Sequence, residues 1–318
     1  MNKHKHKLIT TAILFTLATG VIHIINKLLF ASATMKELLR GTSRKFYEWR
    51  FGRIYYTKQG QGSPLLLVHD LTVYSSDYEW NIIVDELTKN YTVYTIDLLG
   101  CGRSDKQNIT YTNFIYVQML SDFVKNIIGE KTDIIASGFS GSFAVMACHN
   151  EEELFGKIML INPPSLNELN QAPTKKTKIL KFLLELPIFG TLVYNMITAR
   201  ENIELLFTEK YFYNPFLANS RLVDIYYESA HKGEHNAKYL HSSIIGRYTN
   251  NNINHALEAI DHSIFIVYGA EEKNAKEICS AYVQLNPAIE TAVLSKARHL
   301  PQLETPGKLL EQISIFFS

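Results

Sequence analysis

The sequence is short of cysteine, of net charge and of glycine-rich loops. Its three cysteines, Cys101, Cys148 and Cys279, sit at no spacing that suits a metal or a disulfide framework. They read as small buried hydrophobes, and reduced thiols fit an interior or anaerobic setting. Thirty-two Lys and Arg against 31 Asp and Glu leave a formal net charge of +1, which gives no footprint for nucleic acid. Gly100-Cys101-Gly102 lacks the third glycine of a dinucleotide loop, and no phosphate loop occurs elsewhere. His4/His6 and His231/His235 lack further ligands at suitable spacing, so neither a metal nor a cofactor is expected. There is no internal repeat and no low-complexity tract. A length of 318 residues with 46% hydrophobic content allows one large domain with an insertion, stable without disulfides.

What is present begins at the N-terminus. Residues 1–7 are basic, and residues 8–25 carry no Asp, Glu, Lys or Arg. At helical rise that run spans most of a bilayer's hydrocarbon core. A cleaved signal peptide competes, because Ala31-Ser32-Ala33 resembles a cleavage site. The length of the run, and Asn26-Lys27 before the small residues, favour an uncleaved anchor over residues 1–33. Cations on both flanks leave the side of the membrane open. Residues 35–40 read as an interfacial turn of helix along anionic headgroups, and residues 41–45 as a linker.

The remainder alternates strand and helix signals. Residues 46–57 have the alternation of a half-buried antiparallel hairpin. Apolar runs at 64–68, 91–96, 133–137, 157–161 and 263–268 read as central strands, and 289–294 as a last one. Helical spacing appears at 78–87, 112–128 and 143–149. This order predicts an α/β fold with a mostly parallel sheet wrapped by helices. Residues 163–262 interrupt it with amphipathic stretches at 177–186, 192–207, 220–230 and 239–248 and with almost no strand pattern. Within them, residues 179–189 are unusually apolar, which suits either a packed core or a channel facing a bilayer.

Punctuation between the strands carries the chemistry. His69-Asp70 ends the first central strand. Asp97, Gly100, Gly102 and Ser104 form a D-x-x-G-x-G-x-S pattern. Gly138-Phe139-Ser140-Gly141-Ser142 follows another strand, and His299-Leu300-Pro301-Gln302-Leu303-Glu304-Thr305-Pro306 lies near the end. In this order the motifs resemble the α/β-hydrolase superfamily over about residues 46–317. The resemblance implies a core over residues 46–162 and 263–318, with residues 163–262 as a helical lid. It implies Ser140 as nucleophile on a tight elbow and His299 as the base. Glu272 would be the acid that orients His299, with Glu271 as the neighbouring alternative. Gly141 and Leu71 would supply the oxyanion N–H groups.

Four departures from the family pattern surround these positions: Asp70 where glycine is usual, Ser142, Glu272, and Arg298 in place of glycine before the histidine. Asp70 would oppose a forming oxyanion unless it is paired, for which Arg103 and Arg298 are at hand. Arg298 would lower the pKa of His299. His69 reads as structural. The expected reaction is hydrolysis of a carboxylic ester, plausibly apolar, through a Ser140 acyl-enzyme at a membrane. The alternative is a silent member that binds a ligand or partner.

Overall fold

The computed structural model describes residues 2–40 and 45–318, so residues 41–44 of the expected linker at 41–45 lie outside the described residues, and Lys45 opens the first strand. Eight strands form one sheet in the order β1-β2-β4-β3-β5-β6-β7-β8. β1 (Lys45–Trp49) and β2 (Gly52–Gln59) are the expected hairpin. β2 pairs antiparallel with β4 (Tyr91–Ile96). From there the sheet is parallel through β3 (Ser63–Val68), β5 (Thr132–Ser137), β6 (Phe155–Ile161), β7 (Ile264–Gly269) and β8 (Glu290–Leu294).

The apolar runs follow from burial on both faces. In β3, Leu66 and Val68 enter the core shared with the helices Asn113–Phe123 and Ser140–Asn150. Leu65 and Leu67 enter the core beneath Pro306–Phe317. All three cysteines are free and buried, as expected.

Two helical expectations need correction. Residues 78–87 form a tight turn at Asp77–Trp80 and a short helix at Val84–Leu87, not one helix. Ser76 caps the turn, and the Asp77 N–H donates to the Asp97 carboxylate at 2.7 Å. These polar anchors hold the segment down while Glu79 and Trp80 are buried. The stretch at 192–207 is likewise split, into Phe189–Ile197 and Arg200–Leu206. The Asn202 amide donates to the carbonyls of Met196 and Ile197, satisfying a helix end that would otherwise lack partners.

Between β6 and β7 the insertion is helical, and no described residue in it is a strand. It carries the N-terminal helix α1 (Asn2–Thr34) on its flank. Residues 8–25 of α1 are largely exposed. From Asn26 onward the chain is pinned: Asn26 donates to the Ile188 carbonyl at 3.0 Å and accepts from Asn195 at 2.9 Å. The Phe30 ring packs 5.5 Å from the His231 ring. Within residues 35–40, Leu38 and Leu39 dock on the insertion. The Leu38 and Leu39 N–H groups donate to the Glu228 carboxylate, and Leu39 is buried.

Candidate active site

A cleft of about 1140 Å³ opens above the C-terminal ends of the parallel strands, where open α/β sheets place their ligands. Asp70, Leu71, Gly138, Phe139, Asn162, Tyr211, Glu272 and His299 line it.

His299 sits between two carboxylates. Its Nε2 is 3.2 Å from Asp70 Oδ2, and its Nδ1 is 3.7 Å from Glu272 Oε1, an ion pair longer than a hydrogen bond. The Tyr211 ring stacks on the imidazole with centroids 4.7 Å apart. Burial opposes a charge on His299, but Asp70 and Glu272 together overcome it and push its pKa up to about 10. The imidazole is therefore an imidazolium at neutral pH. This reverses the lowering expected from Arg298. That guanidinium turns into the insertion and donates to the carbonyls of Glu209 (2.9 Å) and Phe212 (3.3 Å). Glu272 faces the histidine, whereas Glu271 is exposed.

Asp70 is paired with neither arginine. Its Oδ1 accepts the Phe139 N–H at 2.7 Å, and its own N–H donates to Glu79 Oε2 at 3.2 Å. Arg103 is committed elsewhere, to Asp97 at 2.7 Å and to Asp77. Burial works against that cluster, yet Arg103 holds Asp97 below the usual carboxylate range, while burial and the Asp97 charge push Asp77 up to about 6. None of these three residues lines the cleft. His69 is structural, as expected: its Nδ1 meets the Asp70 carbonyl at 2.7 Å and its Nε2 accepts the Leu98 N–H at 3.0 Å.

The expected nucleophile is placed differently. Ser140 is fully buried, and its Oγ donates to the His69 carbonyl at 2.6 Å. Among the described residues no hydrogen bond joins it to His299. It opens the helix Ser140–Asn150, two residues past the corner. The corner itself is Gly138, the first residue after β5, with φ +53°. A left-handed backbone at the strand-to-helix corner is what raises a nucleophile into a cleft, and here that position has no side chain. The Gly141 N–H, expected in the oxyanion hole, instead closes the turn onto the Gly138 carbonyl at 3.2 Å. The N–H that meets a negative charge in the cleft is that of Phe139.

Two supports had no signal in the sequence. Asn162 clamps the histidine loop. Its amide donates to the carbonyls of Arg298 (2.8 Å) and His299 (2.9 Å), and its oxygen accepts the Gly269 N–H (3.0 Å). Glu79 lies under Asp70 and accepts from Gln302 at 2.6 Å. Burial, and then the Asp70 charge, push its carboxyl up to about 7.

Comparisons with known proteins agree with this architecture. A family model described as "Alpha/beta hydrolase family" matches residues 65–312. A 2-hydroxy-6-oxo-6-(2'-aminophenyl)hexa-2,4-dienoic acid hydrolase of Metapseudomonas resinovorans is 28% identical over 114 residues, 35% of this chain and 39% of that protein. A soluble epoxide hydrolase of Corynebacterium sp. (strain C12) is 26% identical over 110 residues, 35% of this chain and 38% of that protein. The chain thus aligns with well under half the length of these relatives. Among solved structures, an epoxide hydrolase superposes with a TM-score of 0.72 at 18% identity, covering 86% of this chain and 98% of its own. A serine hydrolase involved in carbazole degradation gives 0.69 at 17%, covering 86% and 97%. A membrane phospholipase A gives 0.68 at 19%, covering 98% of both chains. At these identities the superpositions speak for the fold alone. The family match runs from the strand beneath the cleft to the last helix, and with it the chain belongs to the α/β-hydrolase family.

Proposed function

We propose that the chain is a membrane-attached hydrolase that takes a small, largely apolar ester or related electrophile into the cleft. Its reacting centre is built on His299 held between Asp70 and Glu272. The carrying observation is that arrangement at the wall of the cleft. It supports acid–base work by His299, with Glu272 beside the other ring nitrogen. A Ser140 acyl-enzyme would need the hydroxyl to leave the His69 carbonyl and the helix interior. The reading therefore keeps His299 and Glu272 and leaves Ser140 out of the chemistry.

The test is hydrolysis of p-nitrophenyl esters of graded chain length, together with simple epoxides, by the full chain in detergent micelles. His299→Ala is expected to lose about 10²–10⁴-fold in rate, and Ser140→Ala to stay near wild type. Loss in Ser140→Ala would restore the acyl-serine reading. Activity with none of these compounds would favour the silent binding protein.

Attachment through α1 is supported by its apolar, exposed residues 8–25 and by the packing of residues 26–39 on the insertion. Cleavage near residue 33 would strip Asn26 and Phe30 from their partners. The helices Lys175–Glu185 and Phe189–Ile197 add exposed Ile179, Leu180, Phe182, Val193 and Met196 beside α1, where Phe15 meets Phe189. Such a surface suits a bilayer better than water. The expected result is that the chain stays in the membrane pellet after alkaline carbonate extraction. Recovery in the supernatant would overturn the anchor.

A further inference from the structure

We infer that Asp70 is the nucleophile of this site, attacking a saturated carbon of an apolar epoxide in place of the absent elbow side chain. The inference rests on the hydrolase reading above and names its substrate class.

The argument starts at Gly138. A Cβ built there would lie 2.3 Å from Asp70 Oδ1 and 2.4 Å from Asp70 Cγ. The Asp70 carboxylate therefore occupies the volume that a nucleophile at the corner would fill. It also has that nucleophile's partners. One oxygen lies on the N–H of the residue after the corner, Phe139, and the other on His299 Nε2. The carboxylate at position 70, one of the departures from the family pattern, and the bare corner at 138 thus form one change. A side chain at 138 and the Asp70 carboxylate exclude each other.

A carboxylate in this role selects its electrophile. Adding it to an ester carbonyl yields an anhydride, less stable than the ester it came from. Displacing oxygen at the strained carbon of an epoxide yields an ordinary ester. An epoxide is also neutral, which suits a centre where Asp70 and Glu272 repel anions. Leu71, Phe139, Leu166 and Ile278 supply apolar wall.

The steps balance. Asp70 Oδ2 forms a bond to the epoxide carbon, the ring C–O bond breaks, and the freed oxygen takes the proton carried by His299. Asp70 is then an uncharged ester and His299 is neutral. Water gives His299 a proton as its oxygen adds to Asp70 Cγ, and the Phe139 N–H meets the charge on Oδ1. Collapse breaks the bond between Cγ and Oδ2, the oxygen now bonded to the substrate carbon. That oxygen takes the proton of the Asp70 carboxyl and leaves as a diol, and the carboxylate and imidazolium return.

The experiment is a single turnover of 1,2-epoxyoctane or styrene oxide by excess full-length enzyme in oxygen-18 water. The label is expected in the Asp70 peptide and not in the diol. Asp70→Asn, which keeps shape and the Phe139 contact, is expected to lose at least about a thousandfold in rate while melting near wild type. Label in the diol with none in Asp70 would overturn the nucleophile and leave His299-assisted hydrolysis standing. Turnover of p-nitrophenyl esters but of no epoxide would overturn the substrate class and the nucleophile. Turnover of neither would overturn the hydrolase reading itself.

Discussion

The double variant Asp70→Gly/Gly138→Ser is expected to react with a fluorophosphonate probe that leaves the wild-type chain unmodified. The single variant Gly138→Ser should fail. Its Cβ would meet the Asp70 carboxylate at 2.3 Å on a backbone with φ +53°, a strain worth about 1–3 kcal/mol. Removing the carboxylate at the same time clears that volume. The new hydroxyl would then stand where Asp70 now meets His299 Nε2, at 3.2 Å. The Phe139 N–H, now occupied by Asp70 Oδ1, would become a donor for an oxyanion. Glu272 already faces the other ring nitrogen. Losing Asp70 would also remove one of the two charges that keep His299 protonated, so the ring could act as a base. The measurement is gel-based labelling beside hydrolysis of p-nitrophenyl butyrate. A folded double variant that stays unlabelled would sink the exchange of roles between positions 70 and 138. Wild-type labelling that Ser140→Ala abolishes would return the chemistry to Ser140.

The second large effect is on proton affinity. His299 is expected to titrate near pH 10 in the wild-type chain, followed by NMR of imidazole-labelled histidine. The sign follows from the partners. The folded-state pKa lies above the ordinary histidine value of about 6.5. The clamp therefore contributes its full stability below about pH 6.5, and that contribution is lost as pH rises through about 10. Replacing Asp70 by Asn should move the titration down by about 1–3 units, the usual effect of one adjacent opposite charge. The same shift is what alkylation of Asp70 would produce during turnover. An imidazolium suited to protonating a leaving oxygen thereby becomes a base suited to activating water. A wild-type titration near 6.5 would show that the two carboxylates do not hold the ring as described.

The α/β class, the parallel strands and the helical insertion were legible because both-face burial writes continuous apolar runs, and helices write a longer period. Residues 64–68 and 133–137 are such runs, and both are central strands. His299 and Glu272 were marked by the family resemblance, each at a fixed offset from a strand end, and the fold brings them to 3.7 Å from one another. The resemblance put Glu272 ahead of Glu271 by spacing alone, and the folded turn sets the direction in which each leaves the strand.

The elbow was legible only as a composition. In Ala136-Ser137-Gly138-Phe139-Ser140-Gly141-Ser142 small residues recur at every second position. A pattern of small residues around a corner therefore fits two frames, one centred on Ser140 and one on Gly138. Side-chain size cannot separate them. What separates them is the backbone: φ is positive at Gly138, and Ser140 already lies in the helix. Position 70 was equally ambiguous. The sequence marked Asp70 as a departure and offered two arginines as partners, but both are drawn away, Arg103 by Asp97 and Asp77 and Arg298 by lid carbonyls. The sequence alone determined the fold, because it follows from periodicity and burial along the chain, and its motifs marked His299. Only the tertiary structure decided which group faces that histidine, because Asp70, Gly138 and His299 come from three separate loops and compete for one volume that no local pattern describes.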